Sequence, residues 1–457
     1  MKFPLKLDQL SKATGILMSG AVLGQAILLL ALPLLTRIYS PEDFNTLAVY
    51  VAIVGIFAGA ICLRFDIAIS IPDSEEESRK LLLLAIFCAA LLSLLVSLGV
   101  WLAGDVFDID YGLDNGLFAA LVGVGLFAIG AFNSFQVWYI KSRQFMTISF
   151  VRFAQALVSV LVQIGIGLGG AKAVGLLIGY IASSGLGSFA FMLSFFRRNA
   201  FTDLLSVREI RALFRRYGRF PKYSALESLA NEGASQLPVL LIAFLLGGAE
   251  AGFLMLAMRV LQAPIGLVGN AVSQVYLSRA PEAERKGELA GFSLEMLTRL
   301  AKIGIGPLIL GGVLAPTAFP IIFGEEWARA GELISWMTPW FILQFLVSPV
   351  SMSLHVKGRQ DAALYLQVSS FLIRVFAVVI FYFLSVDFMV EAYALSGFVS
   401  YFIYLVVVLK VLQVSPKVFV KSLMPSVPLV AGCSVLAVVL LCVLREFYSL
   451  VVMGGGV

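Results

Sequence analysis

Residues 219–248 read RFPKYSALESLANEGASQLPVLLIAFLLGG, an apolar stretch whose first half carries Glu227, Asn231, Glu232 and Gln236. Ser224, Glu227, Ser228, Asn231 and Ser235 recur every three or four residues, so a helix places them on one face. Three further apolar stretches show the same habit. One holds Arg259, Gln262, Gly266, Asn270 and Gln274, another Gln344, Ser348, Ser351 and His355, and a third Gln367, Ser370 and Arg374. Guanidiniums on such faces hold anions, because they stay charged and present five donors in a fixed plane. Carboxylates there take up a proton or a small cation. Arg64 and Asp66, in RFDIAIS, form a fifth polar interruption, and two opposite charges so close in sequence are expected first to pair with each other.

Other chemistries find little support. His355 is the single histidine, and one imidazole does not build a metal site. Cys62, Cys88, Cys433 and Cys442 all fall in apolar stretches and are expected to pack rather than to bridge or to bind metal. No nucleophile, base and orienting group can be assembled. The chain is expected not to be an enzyme and to need no cofactor beyond a coupling Na+ or H+.

The elements that position these residues must lie in lipid. Apolar residues make up 60% of the 457 and charged ones 13%, with a mean hydropathy of +0.96. No soluble chain of this length hides so much apolar surface. Apolar runs long enough to cross ~30 Å of hydrocarbon lie near 14–36, 45–70, 81–104, 117–140, 150–169, 173–196, 224–247, 252–278, 299–323, 334–354, 364–386, 392–412 and 427–444. The first reads as a span and not as a cleaved signal peptide. A charge at bilayer depth costs ~2.5–3.5 kcal/mol even on the insertion scale. The striped faces therefore turn toward one another in a dry polar seam or toward a water-filled cavity, and buried charges in unequal numbers favour the cavity. Arg374 lies ten residues into its span, near ~15 Å at 1.5 Å per residue, close to the midplane. For Arg259 and Arg374 the competing reading is an ion pair with Glu227 or Glu232.

Orientation follows from the loops. Most of the 33 basic residues fall on one side, with Arg37, Lys172, Arg329 and Arg445 on the other. This puts the N-terminus in the cytoplasm. It also explains the net charge of +5 without nucleic acid. Residues 201–217 place Val207, Ile210, Leu213, Phe214 and Tyr217 on one helical face and Arg208, Arg211 and Arg215 on another, as in a helix lying on the inner membrane surface. Six spans precede it, so both halves enter the membrane in the same direction. FNTLA (44–48) after Pro33 and FLMLA (253–257) after Pro238 are a faint internal match. The expected fold is all-α and polytopic: a six-helix bundle over 1–200, an amphipathic cytoplasmic linker over 201–223, a second six-helix bundle over 224–412, and extra helices over 413–457. The halves are expected to be related by a pseudo-two-fold axis. Pro33, Pro238, Pro264, Pro307, Pro316, Pro339 and Pro349 are expected to bend the spans. Gly175, Gly179 and Ser183 should allow close packing.

ALPLLTRIYSPEDF (31–44), RFDIAIS (64–70) and FPKYSALESLANEGASQLPVLLIAFLLGGAEAGFLMLAMRVLQAPIGLVGNAVSQV (220–275) resemble bacterial oligosaccharide flippases. These proteins form the polysaccharide transporter family of the multidrug/oligosaccharidyl-lipid/polysaccharide exporter superfamily and move O-antigen and capsule repeat units. Asn45 departs from the glycine usual after Pro-Glu-x-Phe. The resemblance implies a multi-pass protein of the bacterial inner membrane. Its implied cargo is an undecaprenyl-pyrophosphate-linked oligosaccharide, passed outward by ion-coupled alternating access, with a polysaccharide polymerase and a chain-length regulator as partners. By the same carry-over Arg259, Arg374 and Arg64 attract the anion and Glu227, Glu232 or Asp66 couples to the ion. Asn231, Gln262, Asn270, Gln274, Gln344 and Gln367 line the cavity. A drug or peptidoglycan-precursor exporter of the same superfamily is the alternative. A polymerase or acyltransferase would need a large outer loop or a histidine-acid cluster. REFYSLVVMGGGV (445–457) begins a further apolar run too short to cross, as expected of a truncated end.

Overall fold

The computed structural model describes residues 7–198 and 206–454, and all regular elements among them are helical. The chain is thus an all-α, multi-pass membrane protein. Eleven helices among the described residues are long and apolar enough to cross a bilayer, and Val22–Ile38 is a shorter apolar helix. Contacts divide the chain into two compact units, Met1–Phe244 and Leu245–Val457.

The first unit contains α1 (Leu7–Ile38), α2 (Pro41–Ala58), the short α3 (Phe65–Ala68), α4 (Glu75–Phe107), α5 (Asn115–Lys141), α6 (Phe145–Leu168), α7 (Lys172–Arg198), α8 (Val207–Tyr217) and nearly all of α9 (Ala225–Leu246). Local chemistry sets the starts. Ser40 and Asp43 cap α2 reciprocally with Pro41 in its first turn, Asp114 caps α5, and Ser206 and Glu209 cap α8. The second expected span, 45–70, is not one helix. The α-helix ends at Ala58, and Leu63 and Arg64 take left-handed φ values of 51° and 62° before α3 begins. Such angles are uncommon for residues with a Cβ.

The second unit contains α10 (Glu250–Pro264), α11 (Asn270–Arg285), α12 (Leu289–Phe323), α13 (Ala328–Val350), the short α14 (Ser353–Val356), α15 (Gln360–Leu384), α16 (Met389–Val411), α17 (Pro416–Leu423) and α18 (Val427–Gly454). The eighth expected span, 252–278, is helical throughout but not α-helical throughout. A π-helical turn, Ile265–Gly269, follows Pro264 and separates α10 from α11. Proline has no N–H for the ladder, and the register slips there. Pro238, Pro307, Pro316, Pro339 and Pro349 stay inside continuous helices.

Each unit repeats the other's internal packing. In the first, α4 lies on α5, α5 on α7, α6 on α7 and α2 on α5. In the second, α12 lies on α13, α13 on α16, α15 on α16 and α10 on α13. The repeat is also written in a turn: Lys141-Ser142-Arg143-Gln144 precedes α6, and Lys357-Gly358-Arg359-Gln360 precedes α15. Each lysine ties that turn to the segment between the second and third spans of its own half, counting α9 as the first span of the second half. Lys141 donates to the carbonyls of Ile69 (3.2 Å) and Pro72 and to Ser78, and Lys357 pairs with Glu284 at 2.8 Å.

The amphipathic α8 meets protein through its apolar side. Leu213 and Tyr217 are buried, and the Phe214 ring lies edge-on to Phe65 at 4.9 Å. Arg216 pairs with Glu77 at 2.6 Å, Tyr217 donates to Glu77 at 3.1 Å, and Lys80 pairs with Glu209 at 2.9 Å. Arg208, Arg211 and Arg215 stay exposed. In α7, Gly175 and Gly179 let Tyr39 and Gln163 approach where a Cβ would collide, the close packing expected of that strip.

Candidate functional site: cations on the inward faces of the spans

On α15 the exposed apolar residues Tyr365, Val368, Leu372, Phe376 and Phe383 share one side. At 100° per residue Arg374 falls on the opposite side, with Ser370 and Gln367. The guanidinium stands over the Trp340 ring, 4.7 Å from its centre. Trp340 is 2% exposed and meets the fully buried Tyr393 edge-on at 5.6 Å. A desolvated cation–π contact of this kind contributes ~2 kcal/mol. Arg374 Nε, Trp340 Nε1 and the Tyr393 hydroxyl are all buried without a partner. No described carboxylate of its own unit pairs with Arg374. Two of these three groups only donate, so the cluster is suited to an acceptor.

Arg64 and Asp66 behave differently from the expected mutual pair. Asp66 is buried on α3 and Arg64 half-buried, and they do not reach ion-pair distance. Arg64 Nε and Asp66 Oδ1 are both buried without a partner. The left-handed backbone at Arg64 turns its side chain toward Gly59, beside the buried Ser228 hydroxyl of α9. Glu227 and Asn231 are exposed and Glu232 is half-buried on α9. Neither glutamate pairs with a described cation of its own unit. Gln236, one turn further on, packs against Gly55 of α2.

In the second unit Arg259 and Gln344 are half-buried, and Gln262, Gln274 and Gln367 are exposed. The Asn270 side chain lies outside the described residues. His355 is exposed on α14. Cys62 and Cys88 are buried, and Cys62 contacts the Gly130 carbonyl and Ser134. Among the described residues no cluster of histidine, cysteine and carboxylate is arranged to hold a metal ion.

Two features escaped the sequence reading. Arg329, at the start of α13, pairs with Glu391 of α16 at 2.6 Å, with Glu332 at 3.2 Å and with Glu250 of α10 at 3.5 Å. Burial pushes the Glu250 carboxyl above its ordinary range, against the pull of Arg329. These residues look like loop charges in the sequence, and only folding gathers them. The other is Arg152 on α6. It was legible, because Ser149, Arg152, Gln155, Ser159 and Gln163 repeat every three or four residues.

Known proteins resemble the chain in sequence and in fold. Residues 34–332 match the family model described as polysaccharide biosynthesis protein. Teichuronic acid biosynthesis protein TuaB of Bacillus subtilis (strain 168) is 24% identical over 147 residues, 32% of this chain and 30% of its own length. The chain thus aligns with about a third of that relative. The lipid II flippase MurJ in an inward closed conformation superposes with a TM-score of 0.71 at 13% identity, covering 96% of this chain and 98% of that one. An inward-facing multidrug resistance MATE transporter of the MOP superfamily superposes at 0.54 and 14% identity, covering 85% and 94%. At such identities the likeness is one of fold. The family match spans more than half of the sequence, and on that ground the chain belongs to the polysaccharide biosynthesis protein family, on a fold shared with flippases and multidrug exporters rather than with enzymes.

Proposed function

We propose that the protein carries an oligosaccharide linked to undecaprenyl pyrophosphate from the inner to the outer leaflet of the bacterial inner membrane, for surface polysaccharide synthesis. The observation that carries this reading is Arg374: a guanidinium near mid-span, standing over a buried indole, with no carboxylate of its own unit paired to it among the described residues. A diphosphate cannot cross hydrocarbon unaided, whereas its polyprenyl tail stays in lipid beside an open seam. Arg374, Arg259 and Arg64 draw the diphosphate in. Glu227, Glu232 or Asp66 takes up Na+ or H+, and two bundles rocking in alternation expose the site to each side in turn. The cytoplasmic N-terminus follows from the basic loops. A polymerase and a chain-length regulator would receive the product outside.

The test uses the bacterium that encodes the protein, with the gene deleted. Lipid-linked repeat units should accumulate in the inner membrane while the surface lacks polysaccharide. Wild type should restore the surface and Arg374→Ala should not. Normal surface polysaccharide in a deletion strain without a redundant transporter would sink the cargo and bring forward export of a drug or of a peptidoglycan precursor.

A further inference from the structure

Arg152 is a second cation on the inward face of a span. On α6 the exposed apolar residues Met146, Phe150, Leu157 and Leu161 fall within about 60° of one another on the helical wheel. Arg152 falls on the opposite side, among the buried Ser149, Ala156, Ser159 and Gln163. Arginines near helix ends usually extend along lipid to the headgroups. This one is aimed the other way, into its own bundle. It is half-buried, and no ion pair or side-chain hydrogen bond holds it among the described residues. The guanidinium stays charged at any physiological pH, so its donors require an acceptor.

The internal repeat gives this placement a counterpart. α6 and α15 each follow the same Lys-x-Arg-Gln turn and are the fifth spans of their halves. Each carries one arginine on the face opposite its exposed apolar side. Measured along its own helix from that turn, Arg152 lies eight residues in, about 12 Å, and Arg374 fourteen, about 21 Å. A structural cation would be expected to come with a carboxylate in its unit, and neither has one among the described residues. We propose that Arg152 is an anion-binding residue of the first unit that takes a phosphate group of the lipid-linked cargo. This rests on the proposed transport of a polyprenyl diphosphate and adds a station that lies shallower on its helix than Arg374.

Purified full-length protein in nanodiscs of phosphatidylcholine, which carries no net charge, would be titrated with farnesyl diphosphate by calorimetry. Wild type should bind. Arg152→Ala should weaken binding at least about tenfold and Arg152→Lys much less, both melting within a few degrees of wild type. Farnesyl alcohol, which lacks the phosphates, should not distinguish the variants. Wild-type binding that Arg374→Ala weakens and Arg152→Ala leaves unchanged would overturn the role of Arg152 alone. No binding of the diphosphate by wild type would overturn the cargo reading together with it. An Arg152→Ala protein that melts far below wild type, with Arg152→Gln stable and binding normally, would make the residue a packing element and also overturn the proposal.

Discussion

The Arg374 guanidinium and the Trp340 indole form a stacked pair, 4.7 Å apart, on facing helices of one unit. The ring fixes where the charge stands, and Arg374 Nε is buried without an acceptor among the described residues. Arg374→Ala should reduce flipping in reconstituted vesicles at least tenfold, the size of one lost charge-assisted contact of ~1.5–3 kcal/mol. Trp340→Leu keeps the charge and removes the platform, so it should weaken substrate binding less than Arg374→Ala does. Equal losses in the two variants would show that Trp340 acts through folding instead.

Gly397 of α16 controls that platform from behind. A Cβ there would run into the Trp340 ring, which is 2% exposed and has no room to withdraw. Gly397→Ala should destabilise the protein by ~1–3 kcal/mol, as overpacking does, and lower transport without touching a charged group. A thermal-shift measurement beside the vesicle assay checks both effects.

The cluster around Arg329 should matter for stability first. Glu391 is 7% exposed and holds Arg329 at 2.6 Å, while Glu250 and Glu332 remain as weaker partners. Glu391→Ala should cost ~1–3 kcal/mol, less than a fully buried broken pair because those two carboxylates still compensate the guanidinium. Replacing Arg329 by Met should cost more, since three carboxylates would lose their common cation. Melting temperatures in that order support the cluster; the reverse order would contradict it.

The docking of α8 has a pH dependence of known sign. A hydrogen bond from Lys80, with help from Ser206, holds the Glu209 carboxyl down at about 2. A depressed acid contributes its stability fully above its unfolded value near ~4.3, and loses it as pH falls through the folded value. Protection factors over 206–217, that is, exchange rates divided into the intrinsic rate at each pH, should therefore be flat from neutral pH to about 5 and fall below that. Glu209→Gln should show the lower protection already at pH 7, because the Lys80 contact is weakened there at every pH.

Period, composition and loop charge already determined that the chain is helical, lies in lipid and crosses it many times. Those signals come from each residue's preference for water or hydrocarbon and need no knowledge of neighbours. The polar stripe with Arg374 was legible for the same reason, since helical spacing alone fixes which residues share a face. The departures from α-helix within the spans were not. Nothing in CLRF announces left-handed backbone at Leu63 and Arg64, and Pro264 marked a bend without its π-turn. Partners across the fold were hidden too. Arg64 and Asp66, close in sequence, do not reach ion-pair distance, because the backbone between α2 and α3 is left-handed at Leu63 and Arg64 and not helical. Arg329 and Glu391, 62 positions apart, meet because α13 packs on α16. Which charges are neutralised and which stay open to an anion depends on those approaches, and tertiary packing alone decided them.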